Sequence, residues 1–178
     1  MRIWAAAGVA ALLLAGCNGS AVRTATMCAD PASAPGTVCA FYERYLAIRP
    51  SGLPTAAQQA ELAPLLSDRL ERQLDAARVV QAAYRQAHPG EKPPLVDGFL
   101  FASLFEGPTD FVVGTATGAS GLTRVPVTFS YGAETTWQDT VLLAREGNRY
   151  VIDDVELAGA GPFNPAGRLS ELLQHASD

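Results

Sequence analysis

Hydrophobic residues along this chain change their spacing once, near residue 99. Before that point they recur every three or four positions, the period of a helix with one buried face; beyond it they form short β-branched and aromatic runs separated by Gly, Asn and Pro. Val38, Phe41, Tyr42, Tyr45 and Ile48 predict an amphipathic helix over 37–48, stopped by Pro50. Thr55 and Gln58 have capping-box spacing, so a second helix is expected to open there and to be interrupted at Pro64. Ser67 is placed to cap a longer helix running to about Ala87. That helix has Leu70, Leu74, Ala77 and Tyr84 on one face and Arg69, Glu71, Arg72, Arg78 and Arg85 mostly around the other. His88-Pro89-Gly90 ends it.

The second half predicts strands over 111–117, 124–131, 137–145 and 150–157, with a further short one over 99–104. The joins at 118–121, 132–135 and 146–148 are short enough for hairpins, so neighbours pair antiparallel. Pro126 cannot donate a ladder hydrogen bond, which puts its strand at an edge or a bulge. Leu169, Leu172 and Leu173 predict a terminal helix over 164–176. Helices first and a meander second make the fold class α+β: N-terminal helices on an antiparallel sheet of about four strands, then a C-terminal helix.

The first residues have a different purpose. Met1-Arg2, an apolar run from Ile3 to Leu14 and then small residues follow the order of an export signal. A bilayer span takes roughly 20 apolar residues, and Asn18-Gly19-Ser20 prevents extension of the run. Leu14-Ala15-Gly16-Cys17 resembles the bacterial lipobox. The resemblance implies that the Cys17 thiol takes a diacylglyceryl group, that the signal is cut before it and that the new amine is acylated. The alternative is a secretory signal that happens to hold a cysteine. Each buried CH₂ contributes about 0.8 kcal/mol and one chain holds only marginally, so several chains on one residue anchor durably. In lipoproteins of this kind an aspartate after the cysteine retains the protein in the inner membrane. Asn18 stands there instead, so outer-membrane sorting facing the periplasm is expected. The organisation is then a signal over 1–16, a lipidated tether over 17–36 and one domain over 37–176.

With 48% hydrophobic and 17% charged residues the chain can offset the entropy of ordering. Its net charge of −5 repels phosphate backbones, so nucleic acid is not an expected partner. Cys28 and Cys39 remain after Cys17 is committed to lipid. In an oxidising compartment they read as a disulfide, the alternative being two unpaired thiols.

The order of elements resembles the nuclear transport factor 2-like cone fold, and four stretches resemble one branch of it, the domain carried by YbjP-type bacterial lipoproteins. They are Phe41-Tyr42-Glu43-Arg44-Tyr45-Leu46, Leu66-Ser67-Asp68-Arg69-Leu70, Phe105-Glu106-Gly107 and Tyr150-Val151-Ile152-Asp153-Asp154-Val155. The likeness runs from about Val38 to Leu173 and implies a curved sheet that wraps against the helices and encloses a pocket. Its motifs are packing signals and carry no chemistry, and the same cone hosts enzymes, ligand binders and interaction modules.

Candidate chemistry is sparse. Consecutive strand residues face opposite ways, so one of Asp153 and Asp154 is expected to point inward, as a general base in a pocket or as an acceptor for backbone amides or an arginine. Asp154 is the first choice. Glu106 and Asp97 are candidates for the same pocket or for capping the turns at Gly107 and Gly98. Tyr84, Phe99, Phe101, Trp137 and Tyr150 either line an apolar cavity or fill the core. His88 and His175 sit at helix ends, unsuited to a general base in a cleft, and Ser103 and Ser130 have no histidine nearby in sequence. No phosphate loop, HExxH or calcium-loop pattern occurs, so no metal or cofactor is expected.

The expectation is a lipid-anchored, non-catalytic binding module with a candidate pocket of Tyr84, Phe101, Glu106, Trp137, Tyr150 and Asp154. Its ligand would be a small molecule or an envelope protein. An immunity or inhibitor lipoprotein that neutralises a periplasmic toxin enzyme is the second reading; the acidic balance mildly favours a basic protein partner. A small isomerase- or dehydratase-like enzyme with Asp154 as base is the third.

Overall fold

The computed structural model describes residues 27–119, 121–159 and 165–175; the expected signal, Cys17 and the first part of the tether lie outside them. The first helix, α1 (Ala34–Ile48), starts ahead of the expected Thr37, because Ser33 Oγ accepts from Gly36 N at 3.1 Å and Pro35 suits the first turn. Cys28 and Cys39 lie at disulfide distance with Cα atoms 5.7 Å apart, which fastens the segment before α1 to its buried side. In the chain-entropy picture a loop of this size contributes up to about 3 kcal/mol.

Helix α2 (Ala56–Leu62) opens with both halves of the Thr55–Gln58 capping box formed, at 2.9 and 3.2 Å. Pro64 turns the chain through a 3₁₀ turn at Ala63–Leu65. Helix α3 (Asp68–Ala87) follows, with Ser67 Oγ accepting from Leu70 N at 3.0 Å. Leu70, Leu74 and Ala77 are buried as expected, but the next inward position is taken by Gln81, and Tyr84 is only half-buried.

The remainder is α+β as expected, with six strands where about four were anticipated. They are β1 (Asp110–Val113), β2 (Thr117–Ala119), β3 (Leu122–Tyr131), β4 (Thr135–Glu146), β5 (Arg149–Ala158) and β6 (Ala166–Arg168). They form one curved antiparallel sheet in the order β1-β3-β4-β5-β6, with β2 also paired to β3. Helix α4 (Leu169–His175) follows β6 directly. The expected single strand over 111–117 is two strands, because pairing breaks after Gly114. Pro126, opposite that break, still accepts from Gly114 N at 2.8 Å. Its strand is therefore an interior one, and the ring faces the gap between β1 and β2, where no ladder donor is needed. The start of the expected terminal helix is instead strand β6 on β5, and Asn164 and Ala176 lie outside the described residues.

Residues 99–104 are turns, not a strand. Phe99 N donates to Phe105 O at 3.0 Å, and at Gly107 (φ +75°) a Cβ would stand 2.3 Å from the Phe99 ring. The segment closes on itself and presents Phe101 to the core. There Val38, Phe41, Tyr42 and Tyr45 of α1 join Val125, Val127 and Phe129 of β3 and Val141 and Leu143 of β4 in one buried cluster. Each such side chain contributes roughly 1.5–3 kcal/mol by leaving water. Among the described residues no helix is long and apolar enough to cross a membrane.

Candidate functional site

Where a cone would hold its pocket, the space between α1 and the sheet is filled with rings. Phe99 meets Tyr45 at 4.6 Å between centroids, Tyr45 and Phe41 each meet Phe101 at 5.0 Å, Tyr42 meets Phe129 at 5.0 Å and Phe129 meets Trp137 at 5.5 Å. The two phenols use their polar ends on the 99–104 turns: Tyr42 OH donates to Phe101 O at 2.9 Å, and Tyr45 OH accepts from Leu100 N at 3.3 Å. Burial raises the pKa of both well above the ordinary phenol value, and nearby Asp139 adds to the rise at Tyr42, so neither ionises at neutral pH.

Asp139, a residue the sequence reasoning missed, ties this interior together. It is 1% exposed and takes four hydrogen bonds. Its Oδ2 accepts from Ser103 N at 2.8 Å and Trp137 Nε1 at 3.2 Å; its Oδ1 accepts from Ser103 Oγ at 2.6 Å and Ala158 N at 2.9 Å. The carboxylate thus joins the turns, β4 and the end of β5, and the Ser103 hydroxyl is committed to it. A signal was present, because Asp139 shares strand parity with Trp137 and Val141 and had to point inward with them.

The acidic pair behaves differently from the alternation rule. Pairing of β4 with β5 shifts between Leu142 and Leu143, whose partners are Asp154 and Ile152, and this leaves Asp153 as the extra residue of a bulge. Both carboxylates therefore reach the starts of α3 and α4 instead of an interior pocket. Asp153 accepts from Arg69 Nε at 3.0 Å, Arg69 Nη2 at 2.8 Å and Ser67 Oγ at 2.7 Å. Asp154, 2% exposed, accepts from Ser170 Oγ at 2.6 Å, Ser170 N at 3.0 Å and Val155 N at 2.9 Å, with Arg69 Nη2 at 3.8 Å. Burial pushes the Asp153 carboxyl up, but the Arg69 and Ser67 hydrogen bonds and the Arg69 charge outweigh it, and its pKa lies below the usual carboxylate range.

A depressed pKa stabilises the fold above the unfolded value of about 3.9, and that contribution disappears as pH falls through the folded value. Asp153→Asn should therefore cost about 1–3 kcal/mol at neutral pH, and the gap to wild type should narrow as the pH drops below about 4. Urea unfolding over a pH series measures it; a gap that stays constant into strong acid would contradict the ion-pair account.

Open space lies on the outside, around the 94–98 loop. Gly52 N donates to Gly98 O at 2.7 Å and Leu53 N to Leu95 O at 2.9 Å, so the 50–53 turn is zipped to that loop. A Cβ on Gly52 would stand 2.2 Å from Leu95 O, which is why only glycine fits. Two adjoining clefts flank this zipper and share Ser51. One, of about 410 Å³, includes Leu53, Arg78, Gln81, Arg85 and Leu95; the other, of about 380 Å³, includes Arg49, Gly98, Phe105 and Glu106. Arg49 (φ 43°) and Leu95 (φ 51°), the two non-glycine residues with positive φ among the described residues, each line one of them. Strained backbone of this kind persists where surrounding structure holds it, and it concentrates at binding sites.

No family model, curated protein or solved structure matches this chain. Geometry alone therefore sorts the expected pocket residues, and it does not bring them together. Phe101 and Trp137 are core. Tyr84 stacks on His88 at 4.4 Å and donates to Glu91 at 3.0 Å, while Tyr150 lies under the Arg145 guanidinium, 4.7 Å from the ring centroid. Asp154 belongs to the α4 junction. Of these six only Glu106 lines an outer cleft, and Asp97, the other acid expected near it, lines the same cleft and is paired with Lys92. Among the described residues no cluster of His, Cys, Asp or Glu could hold a metal ion.

Proposed function

We propose that this chain is a lipid-anchored, periplasm-facing, non-catalytic binding module of a bacterial envelope. In this proposal it is a nuclear transport factor 2-like cone whose interior has been filled, so that ligands meet the outer clefts along 49–56 and 94–98. One observation carries the reading: the buried carboxylates that could act as a base are already held by fixed protein donors, four on Asp139 and three on Asp154. A general base needs a free lone pair within reach of a substrate proton. Carboxylates so employed serve the fold, while the clefts have the concavity and fixed walls of a binding site.

Attachment and activity are tested separately. Cys17→Ala should leave the protein exported but released from the membrane fraction, since the acyl chains go while the apolar run of the signal is unchanged. Fractionation reads this, and a wild-type protein recovered wholly in the soluble fraction would contradict the anchor. A ligand-observed NMR screen of metabolites and short peptides, followed over hours, should give saturable binders whose own spectra do not change. A binder converted to product, with conversion lost in a folded Asp154→Asn or Asp139→Asn variant, would replace the binding reading with the enzymatic one.

A further inference from the structure

We propose that the cleft beside α3 binds a carboxylate carried on a small apolar body, with the Arg85 guanidinium as its anchor; this rests on the binding-module reading and names the ligand class. The chain has 18 acidic residues against 13 Lys and Arg, yet no acidic residue lines this cleft and two arginines do. The two are not equivalent. Arg78 is engaged by Asp75 and the Gln59 side-chain oxygen. Arg85 has no carboxylate partner among the described residues, and its one polar contact there is Gln81 Oε1 at 2.7 Å.

That contact fixes the geometry. Gln81 is 8% exposed, and its Nε2 donates to Pro94 O at 2.9 Å. One buried amide therefore holds the guanidinium on one side and the loop opposite it on the other, before any ligand arrives. Holding one Nη atom leaves other N–H groups of the planar fork for a carboxylate, which a guanidinium can bind through two parallel hydrogen bonds. Ser51 lines the same cleft. Apart from Thr55 the remaining walls are apolar, from Leu53, Ala56, Leu95 and Val96, so the acid should bring a short aliphatic body. Leu95 reaches this wall through its strained φ of 51°. The volume of about 410 Å³ suits a ligand of a few residues or a medium-length acid.

Free small acids and peptide C-termini offer the same chemistry, and three probes separate them. The ¹⁵N-labelled full chain is titrated with octanoate, with N-acetyl-Leu-Ala and with the C-terminal amide of that dipeptide. The expected result is saturable shifts at 51–56 and 94–96 from at least one acid, with the amide weaker by about tenfold or more. Arg85→Gln should weaken the acid by a similar factor without changing the melting temperature, because Arg85 is an exposed side chain. Arg85→Lys should restore part of the loss, since it returns the charge but not the fork. Binding of the dipeptide acid alone assigns a peptide C-terminus, and binding of octanoate assigns free acids. Equal affinity for acid and amide, equal affinity of wild type and Arg85→Gln, or no shift at the cleft from any probe would overturn the proposal. Saturable binding of another compound elsewhere on the chain would overturn it too, while leaving the binding-module reading in place.

Discussion

Asp139→Ala is expected to cost about 4 kcal/mol or more, among the largest losses available to a single substitution in this chain. It leaves four donors in the interior without an acceptor, namely two N–H groups and one hydroxyl on the 103 and 158 segments and the Trp137 indole N–H. An unsatisfied buried donor costs about 1–3 kcal/mol, more when its lost partner was charged, and partial relaxation keeps the total below the sum. Asp139→Asn retains the volume but turns an amide N–H₂ toward two donors, so it should fall between wild type and alanine. Ser103→Ala removes two elements of the same network, the hydroxyl and its hydrogen bond, and a double-mutant cycle with Asp139→Asn should give strong non-additivity. Urea unfolding supplies all four free energies. Losses under about 1 kcal/mol for both Asp139 variants would mean that the carboxylate is not part of the fold's support, and would return it to consideration as a reactive group.

Phe101→Ala should cost about 3–5 kcal/mol, because its ring is fully buried against Phe41 and Tyr45 and its removal leaves a cavity among them. Tyr84→Ala, by contrast, removes a half-buried ring stacked on an exposed histidine and should cost under about 1 kcal/mol. The two were expected to share a pocket, so the contrast between them separates a filled interior from an open one. In an open cone both would line solvent-accessible space and both substitutions would be mild. Thermal and urea unfolding of the pair decide it; a Phe101 variant nearly as stable as wild type would contradict the filled interior.

The helical half was legible because each helix carries its own start signal: Thr55–Gln58 and Ser67 cap where their side-chain chemistry says they should. The cap at Ser33, followed by Pro35, is hidden in the Ala-, Ser- and Pro-rich composition of the tether. Strands β3 to β5 were legible from alternation. The short strands were not, since β2 and β6 each span three residues and form only because a long neighbour offers free ladder groups. The bulge at Asp153 has no local sequence signal, and it lets both acids reach helix starts where alternation would have turned only one of them inward. Asp139 is signalled only by its strand parity with Trp137 and Val141, and a single acid within a strand otherwise reads as solvent-facing. The outer clefts join residues 49–56 to 94–98 and to α3, contacts far apart in sequence that no periodicity encodes.

The central proposal, binding at the outer clefts without chemistry in the interior, is tested most directly by an amide NMR map of the full chain with any saturable ligand from the screen. Shifts confined to 49–56, 94–98 and the Arg85 end of α3, with Phe101, Trp137 and Asp139 unmoved, are the expected result. Shifts centred on Phe101, Trp137 and Asp139 would contradict it and place the ligand between α1 and the sheet.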